Sequence, residues 1–220
     1  MIKISASTNP PKESELVEYV KQLQKAGVDM LHCDVMRSNF VDNECLSYEL
    51  LKQVKQHTLL PLDIHLMINE PLKDVIKFAS LGAHNITIHY EAFEWKDIFE
   101  KAVKIIRDSH AFVGLAINPT TPVKEIIPLL SLVDSVLVMG VYPGKSGQKM
   151  LSNTVKKVEE LKKAIHKSNL NVIIEVDGGV NMDNIKSLYN AGAQIVVMGN
   201  ALYTAPNKAK VVDTVHSIKY

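Results

Sequence analysis

The chain of 220 residues is 46% hydrophobic and 22% charged, with 25 Lys and Arg against 24 Asp and Glu and a formal net charge of +1. Neither sign forms a long block, which excludes a basic nucleic-acid footprint and an acidic interaction tail, and no window nears 18 uninterrupted apolar residues, which leaves no candidate membrane-spanning helix. Two cysteines, Cys33 and Cys45, cannot make a disulfide scaffold or a C-x-x-C pair, and no signal-like apolar stretch precedes Pro10 and Pro11, so a reducing, cytoplasmic location is expected.

Short apolar, β-branched runs predict strands at Ile2–Ser5, Met30–Asp34, Leu62–Leu66, Asn85–His89, Phe112–Ile117, Ser135–Met139, Asn171–Val176 and Ile195–Met198. Helical periodicity predicts helices at Glu13–Ala26, Tyr48–Gln56, Leu72–Leu81, Trp95–Ser109, Thr154–Lys167 and Asn184–Ala191. In the first of these, Leu16, Tyr19, Val20 and Leu23 make one apolar stripe. Thr121-Pro122 reads as an N-cap and a first-turn proline opening a further helix through Leu130. Ala26-Gly27-Val28, Leu81-Gly82-Ala83 and Ala191-Gly192-Ala193 repeat one pattern, a helix closed by glycine ahead of a strand. Strict alternation implies a parallel sheet covered by helices. Eight such units in a chain of this length, with no linker dividing it, predict a single-domain α/β fold over residues 1–220, a closed (β/α)8 TIM barrel. A doubly wound sheet is the alternative, but no G-x-G-x-x-G follows the first strand.

Buried parallel strands should be apolar throughout. Here strand 2 ends His32-Cys33-Asp34, strand 3 ends Asp63-Ile64-His65, strand 4 ends at His89 and strand 7 runs Glu175-Val176-Asp177. The two-residue period puts His32 and Asp34 on one face of their strand, and does the same for Glu175 and Asp177. In an α/β barrel these carboxyl ends converge on the mouth that carries the active site. A lone histidine there is ordinarily a hydrogen-bonded core residue, and a lone aspartate ordinarily caps the next helix. Two histidines and two carboxylates together also suit a divalent transition metal, with imidazole favouring zinc or iron and carboxylate keeping manganese in play.

Glycine-rich turns follow the later strands: Tyr142-Pro143-Gly144-Lys145-Ser146-Gly147-Gln148 after strand 6, Gly178-Gly179 after strand 7 and Gly199-Asn200 after strand 8. Glycines there let backbone N–H groups approach an anion, which is where many barrels hold a substrate phosphate. Tight turns with nothing bound are the plainer alternative.

The segments His32-Cys33-Asp34-Val35-Met36, Leu62-Asp63-Ile64-His65-Leu66-Met67, Gly114-Leu115-Ala116-Ile117-Asn118-Pro119-Thr120-Thr121-Pro122 and Glu175-Val176-Asp177-Gly178-Gly179-Val180-Asn181 resemble the ribulose-phosphate 3-epimerase family. Ser7, Val138-Met139, Pro143-Gly144 and Gly147-Gln148 fit as well, in order from about residue 2 to about residue 203. The resemblance implies a ribulose-phosphate-binding barrel and an isomerase that interconverts D-ribulose 5-phosphate and D-xylulose 5-phosphate through an enediolate. It implies one divalent metal ion (zinc, iron(II), manganese or cobalt) held by His32, Asp34, His65 and Asp177, with Asp34 and Asp177 as the acid/base pair. It further implies that Ser7, His65, Gly144, Lys145, Ser146, Gly147, Gly178, Gly179, Gly199 and Asn200 bind substrate, that Met36, Met67 and Met139 line the enediolate, and that the chain forms a homodimer or homohexamer in carbohydrate metabolism, in the pentose phosphate pathway. Departures fall at Arg37-Ser38, where the family has Asp-Gly, at Lys145-Ser146, where it has Phe-Gly, and at Asn200, where it has serine. They keep a hexulose phosphate such as D-allulose 6-phosphate open as substrate. A non-catalytic sugar-phosphate-binding barrel is the third reading, disfavoured because a mere binder needs no paired carboxylates beside a metal.

Overall fold

A computed structural model describes residues 1–93 and 96–219. Eight strands, β1 (Lys3–Ser7), β2 (Met30–Met36), β3 (Leu62–Met67), β4 (Asn85–His89), β5 (Phe112–Ile117), β6 (Ser135–Met139), β7 (Ile173–Asp177) and β8 (Ile195–Met198), close into one barrel in sequence order. Every neighbouring pair is parallel, including β1 with β8, where Lys3 lies opposite Ile195. Helices α1 (Leu16–Ala26), α2 (Tyr48–Gln56), α3 (Leu72–Ala79), α4 (Lys96–Asp108), α5 (Val123–Ile126), α6 (Thr154–Lys167), α7 (Ile185–Ala191), α8 (Asn200–Tyr203) and α9 (Lys208–His216) follow the strands in turn. The expected TIM barrel is therefore the fold, and no helix among the described residues is long and apolar enough to cross a membrane.

Strand alternation sorts the side chains into two environments. Outward residues such as Ile4, Leu31, Ile64, Ile86, Val136 and Val196 join helix residues such as Leu23, Phe78, Leu161 and Leu188 in the main apolar layer. Barrel interiors are usually filled by branched aliphatic side chains. Among the described residues this one holds a small apolar cluster, Ala116, Leu137, Met139 and Val197, on the β5, β6 and β8 side. Many other inward positions are buried polar residues, among them Ser5, His32, Asp63, Asn85, Thr87 and Glu175. Buried polar groups need partners, and the strand register supplies them. His32 on β2 lies opposite Asp63 on β3, and Asp34 lies opposite His65, so each histidine meets an aspartate of the neighbouring strand.

The sequence-predicted elements differ from the structure mainly at their ends, by up to two residues. β1 runs Lys3–Ser7 rather than Ile2–Ser5, and β7 begins at Ile173 rather than Asn171. Three residues of the first predicted helix, Glu13–Glu15, form a 3-10 turn ahead of α1. Trp95, the predicted start of the fourth helix, lies outside the described residues, and α4 begins at Lys96. The expected helix from Thr121 to Leu130 is corrected: Pro122 is the extended N-cap of a four-residue α5, and a 3-10 segment, Ile127–Leu132, completes the unit. Thr121 caps nothing there because its hydroxyl donates to the carboxylate of Glu91, on the loop after β4. α9 was not expected; only Val212 and Val215 of its residues are buried, too few to make a clear apolar stripe.

Phe78 on α3 is fully buried and meets Tyr48 edge-on at 5.9 Å, whereas Ile76 on the same helix is 58% exposed. Phe78→Ala should lower unfolding free energy by about 3–5 kcal/mol. Ile76→Ala should stay within about 0.5 kcal/mol, both read from urea denaturation.

Candidate active site

At the carboxyl ends of the strands lies a cavity of about 420 Å³ whose wall includes Ser7, Asn9, Asp34, Met36, Met67, Met139 and Asp177, with the loops after β6, β7 and β8. Met36, Met67 and Val41 make a small apolar cluster at this mouth, backed by Phe40 and Cys45. The loop between β2 and α2 is pinned there by a pair of backbone hydrogen bonds between Met36 and Cys45.

His32, Asp34, His65 and Asp177 come together at the floor of this cavity. One ligand atom from each lies within 4.8 Å of all the others, the arrangement a metal ion needs. His32 Nε2 is 3.1 Å from Asp34 Oδ1 and 4.0 Å from Asp177 Oδ2, yet it has no hydrogen-bond partner among the described residues. His65 Nδ1 is 2.9 Å from the same Asp34 oxygen. The far nitrogen of each ring is held from behind, His32 Nδ1 by Asp63 Oδ2 at 2.7 Å and His65 Nε2 by His89 Nε2 at 2.8 Å. An orphaned, fully buried imidazole nitrogen aimed between two carboxylates, with its tautomer fixed from behind, fits a metal ligand. His65 lies wholly beneath the cavity floor, so it can reach a ligand in the cavity only through this cluster.

His32, Asp63 and Glu175 form a second compact group beneath the first. Asp63 already accepts from Ser5 and His32 on Oδ2 and from Asn85 on Oδ1, which makes that group a hydrogen-bonded support.

The two aspartates of the upper set differ electrically. Burial works against ionisation of Asp34, but the imidazoles of His32 and His65 outweigh it and hold the carboxyl well below the usual range. Asp177 is pushed up to about 6, first by burial and then by the negative charge of Asp34. Asn9, which the sequence reading missed, donates its side-chain amide to Asp34 Oδ2 at 2.9 Å and accepts from the Cys45 thiol at 3.0 Å.

Ser7, Gly144, Lys145, Ser146, Gly147, Gly178, Gly179, Gly199 and Asn200 all lie on the cavity wall. At two of the glycines the neighbouring loop also requires the missing Cβ. A Cβ on Gly178 would sit 2.5 Å from Val141 Cγ2, and one on Gly179 would sit 2.2 Å from the Met150 backbone nitrogen. Both have φ in the left-handed region. Packing of the β7–α7 loop against the β6–α6 loop demands glycine there. Gln148 braces the β6–α6 loop by donating to the Tyr142 and Lys145 carbonyls. Of the departures, Lys145 and Ser146 face the cavity, whereas Arg37 turns back onto the Met36 carbonyl and Ser38 onto Glu44.

The sequence pattern of the ribulose-phosphate 3 epimerase family matches residues 3–203. The chain belongs to this family. It is 34% identical over 220 residues to the ribulose-phosphate 3-epimerase of Bacillus subtilis (strain 168), covering 100% of both chains. With the Escherichia coli (strain K12) ribulose-phosphate 3-epimerase it shares 35% over 193 residues, 87% of this chain and 84% of that one. The chloroplastic ribulose-5-phosphate-3-epimerase of Arabidopsis thaliana is 35% identical over 218 residues, 99% of this chain and 77% of that one. Among solved structures, a 3-hexulose-6-phosphate synthase superposes with a TM-score of 0.71 at 18% identity, covering 98% and 99% of the two chains. A mutant tryptophan synthase alpha-subunit from Pyrococcus furiosus gives 0.70 at 13%, covering 99% and 98%. At such identities these two share the barrel alone.

The contrast among the loop glycines is testable. Gly179→Ala should cost at least about 1–3 kcal/mol through its positive φ and its collision with backbone. Gly199→Ala should change stability by less than about 0.5 kcal/mol, because its Cβ would meet only Ser7 and Pro10 at ordinary contact distances of 3.6 Å and beyond. Thermal unfolding of the two variants decides it.

Proposed function

We propose that this chain is a metal-dependent 3-epimerase of a ketose phosphate, with D-ribulose 5-phosphate and D-xylulose 5-phosphate as its substrate pair. The observation that carries the reading is the orphaned His32 Nε2 between Asp34 and Asp177, at the floor of a cavity walled by three backbone-rich loops. His32 Nε2, His65 Nδ1 and one oxygen from each aspartate would hold a divalent ion. Such an ion, when bound, supplies Lewis-acid stabilisation of the negative charge that develops on the substrate's oxygens.

Inversion at a carbon beside a ketone needs a proton removed from one face and another delivered to the opposite face. Asp34 and Asp177 enter the cavity from β2 and β7, with β8 and β1 between them. Asp34 points Oδ1 at the two imidazoles and keeps Oδ2, steadied by the Asn9 amide, for the proton. The depressed Asp34 and the elevated Asp177 are suited to opposite tasks, one accepting and one donating. Met36, Met67 and Met139 supply a polarisable apolar wall, which keeps competing water from the planar intermediate. Backbone N–H groups of Gly178, Gly179, Gly199 and Asn200 would take the phosphate, with the β6–α6 loop closing over it.

The test is a coupled assay of purified protein, with its metal content measured, on D-ribulose 5-phosphate and D-allulose 6-phosphate in heavy water. One solvent deuteron should enter at C3 of the pentulose with each inversion, activity should vanish in chelator, and a divalent ion should restore it. Full turnover in metal-stripped protein, or no turnover of either sugar, would sink the reading. Asp34→Asn and Asp177→Asn should each lower kcat by at least about 100-fold with the fold intact. Lys145→Ala should raise KM by roughly two- to five-fold, leave kcat unchanged and flatten its salt dependence, as an exposed cation near a phosphate would.

A further inference from the structure

The barrel has a second mouth, at the amino-terminal ends of its strands, and a cavity of about 250 Å³ opens there. Its wall is layered, because neighbouring strands of a barrel contribute side chains to alternate layers. Lys3, Phe112 and Ile173, on β1, β5 and β7, form the rim. Met30, Asn85, Ser135 and Ile195, on the even-numbered strands, form the next layer, and Asp63 and Glu175 lie deepest. Above these, His32, Thr87, Leu137 and Val197 are buried and separate this cavity from the upper one, with which it shares no lining residue.

Three oxygens in this wall are unused. Asn85 Oδ1, Ser135 Oγ and Glu175 Oε1 have no hydrogen-bond partner among the described residues, and all three residues are more than nine-tenths buried. Buried polar atoms are nearly always paired, so each exception needs a reason. The Asn85 amide cannot turn round to find one. Its nitrogen donates to Asp63 Oδ1 at 2.8 Å and to Thr87 Oγ1 at 2.9 Å, both deeper in the barrel, which turns Oδ1 back toward the lower mouth.

The chemistry of the three atoms selects a ligand. An amide oxygen only accepts, the Glu175 oxygen accepts as a carboxylate or as the carbonyl of the neutral acid, and a hydroxyl accepts as readily as it donates. A primary ammonium carries three N–H donors and no acceptor, one donor for each of these oxygens. Charge agrees, since Asp63, Asp134 and Glu175 stand in this wall against one lysine, Lys3. The way in is apolar. It passes Phe112, which is 51% exposed and meets His84 edge-on at 5.0 Å, and then Ile173, Met30 and Ile195.

We propose that the lower mouth is a binding site for a primary alkylammonium ion, whose nitrogen donates to Asn85, Ser135 and Glu175 while its chain lies along Met30, Ile195 and Phe112. The site is separate from the epimerase chemistry and needs neither metal nor sugar.

The probe is n-butylammonium chloride, titrated at constant ionic strength into the full chain labelled with ¹³C in its methionine methyl groups. Met30 reports on the lower mouth, and Met36, Met67 and Met139 report on the upper cavity. The Met30 methyl resonance should shift saturably while those three stay in place. Tetramethylammonium has the charge without N–H donors, and n-butanol has the chain without the charge. Each should bind at least about ten-fold more weakly than n-butylammonium. Ser135→Ala removes one acceptor with little change of volume and should weaken n-butylammonium by about ten-fold. A Met30 methyl that n-butylammonium leaves unmoved in the unsubstituted protein overturns the proposal, and needs no variant to fold. So does a shift of Met139 in place of Met30, or equal binding of tetramethylammonium or n-butanol. An S135A protein that binds n-butylammonium within about two-fold of the original overturns it as well.

Discussion

The Asp63 carboxylate, with no exposure to solvent, is the interaction on which the rest of the barrel interior depends. Its two oxygens accept from Ser5 on β1, His32 on β2 and Asn85 on β4, so one side chain on β3 ties four consecutive strands together. A buried charge of this kind is tolerable only if every lone pair has a use, because an unpaired one is costly to desolvate. Burial opposes ionisation of Asp63, and the His32 imidazole more than offsets it. Glu175 sits beside this pair, and burial followed by the charge of Asp63 raises its carboxyl well above the usual value. The two buried acids are thus pushed in opposite directions, Asp63 towards the anion and Glu175 towards the neutral acid. Removing Asp63 would strand three donors and free the His32 ring to turn, and it would undo the direction of Nε2 at the cavity floor.

Two kinds of order meet at the mouth. The floor is set by strand register, which fixes His32 against Asp63 and His65 against Asp34 with little freedom. Sites built on strands are held more tightly than sites built on loops. The rim consists of the loops after β6, β7 and β8, and Gly178 and Gly179 there are dictated by how two of these loops pack on one another. The departures from the family pattern all lie outside the strands, and only those after β6 and β8 touch the cavity.

The barrel and the upper site were legible because they depend on local periodicity. Alternation alone put His32 with Asp34 and Glu175 with Asp177, and four strands, β4, β5, β6 and β8, have the expected bounds. What escaped depends on contacts distant in sequence. Thr121 looked like a helix cap, but a carboxylate 30 residues earlier claims its hydroxyl. At Gly178 and Gly179 the contacts with Val141 and Met150 of a neighbouring loop, which demand glycine, left no local signal. Asn9 sits in a segment with no regular period, and only the fold brings it to Asp34, 25 residues on. Lys157 carried no signal, since a lysine on an amphipathic helix is ordinarily solvated and here α6 tucks it under the β5–α5 loop.

Closure of the barrel through β1 and β8 has a consequence for synthesis. The strand that begins at Lys3 finds its last partner only when Ile195 has been made. At roughly 5–20 residues per second a ribosome needs some ten to forty seconds for that interval. During it the nascent β1 presents an unpaired edge, the kind of surface that invites pairing with a stranger. The inward face of that strand is Lys3, Ser5 and Ser7, alternating with Ile4 and Ala6. The polar lining that later serves the barrel interior leaves the waiting edge only half apolar, and so less adhesive while the chain is incomplete.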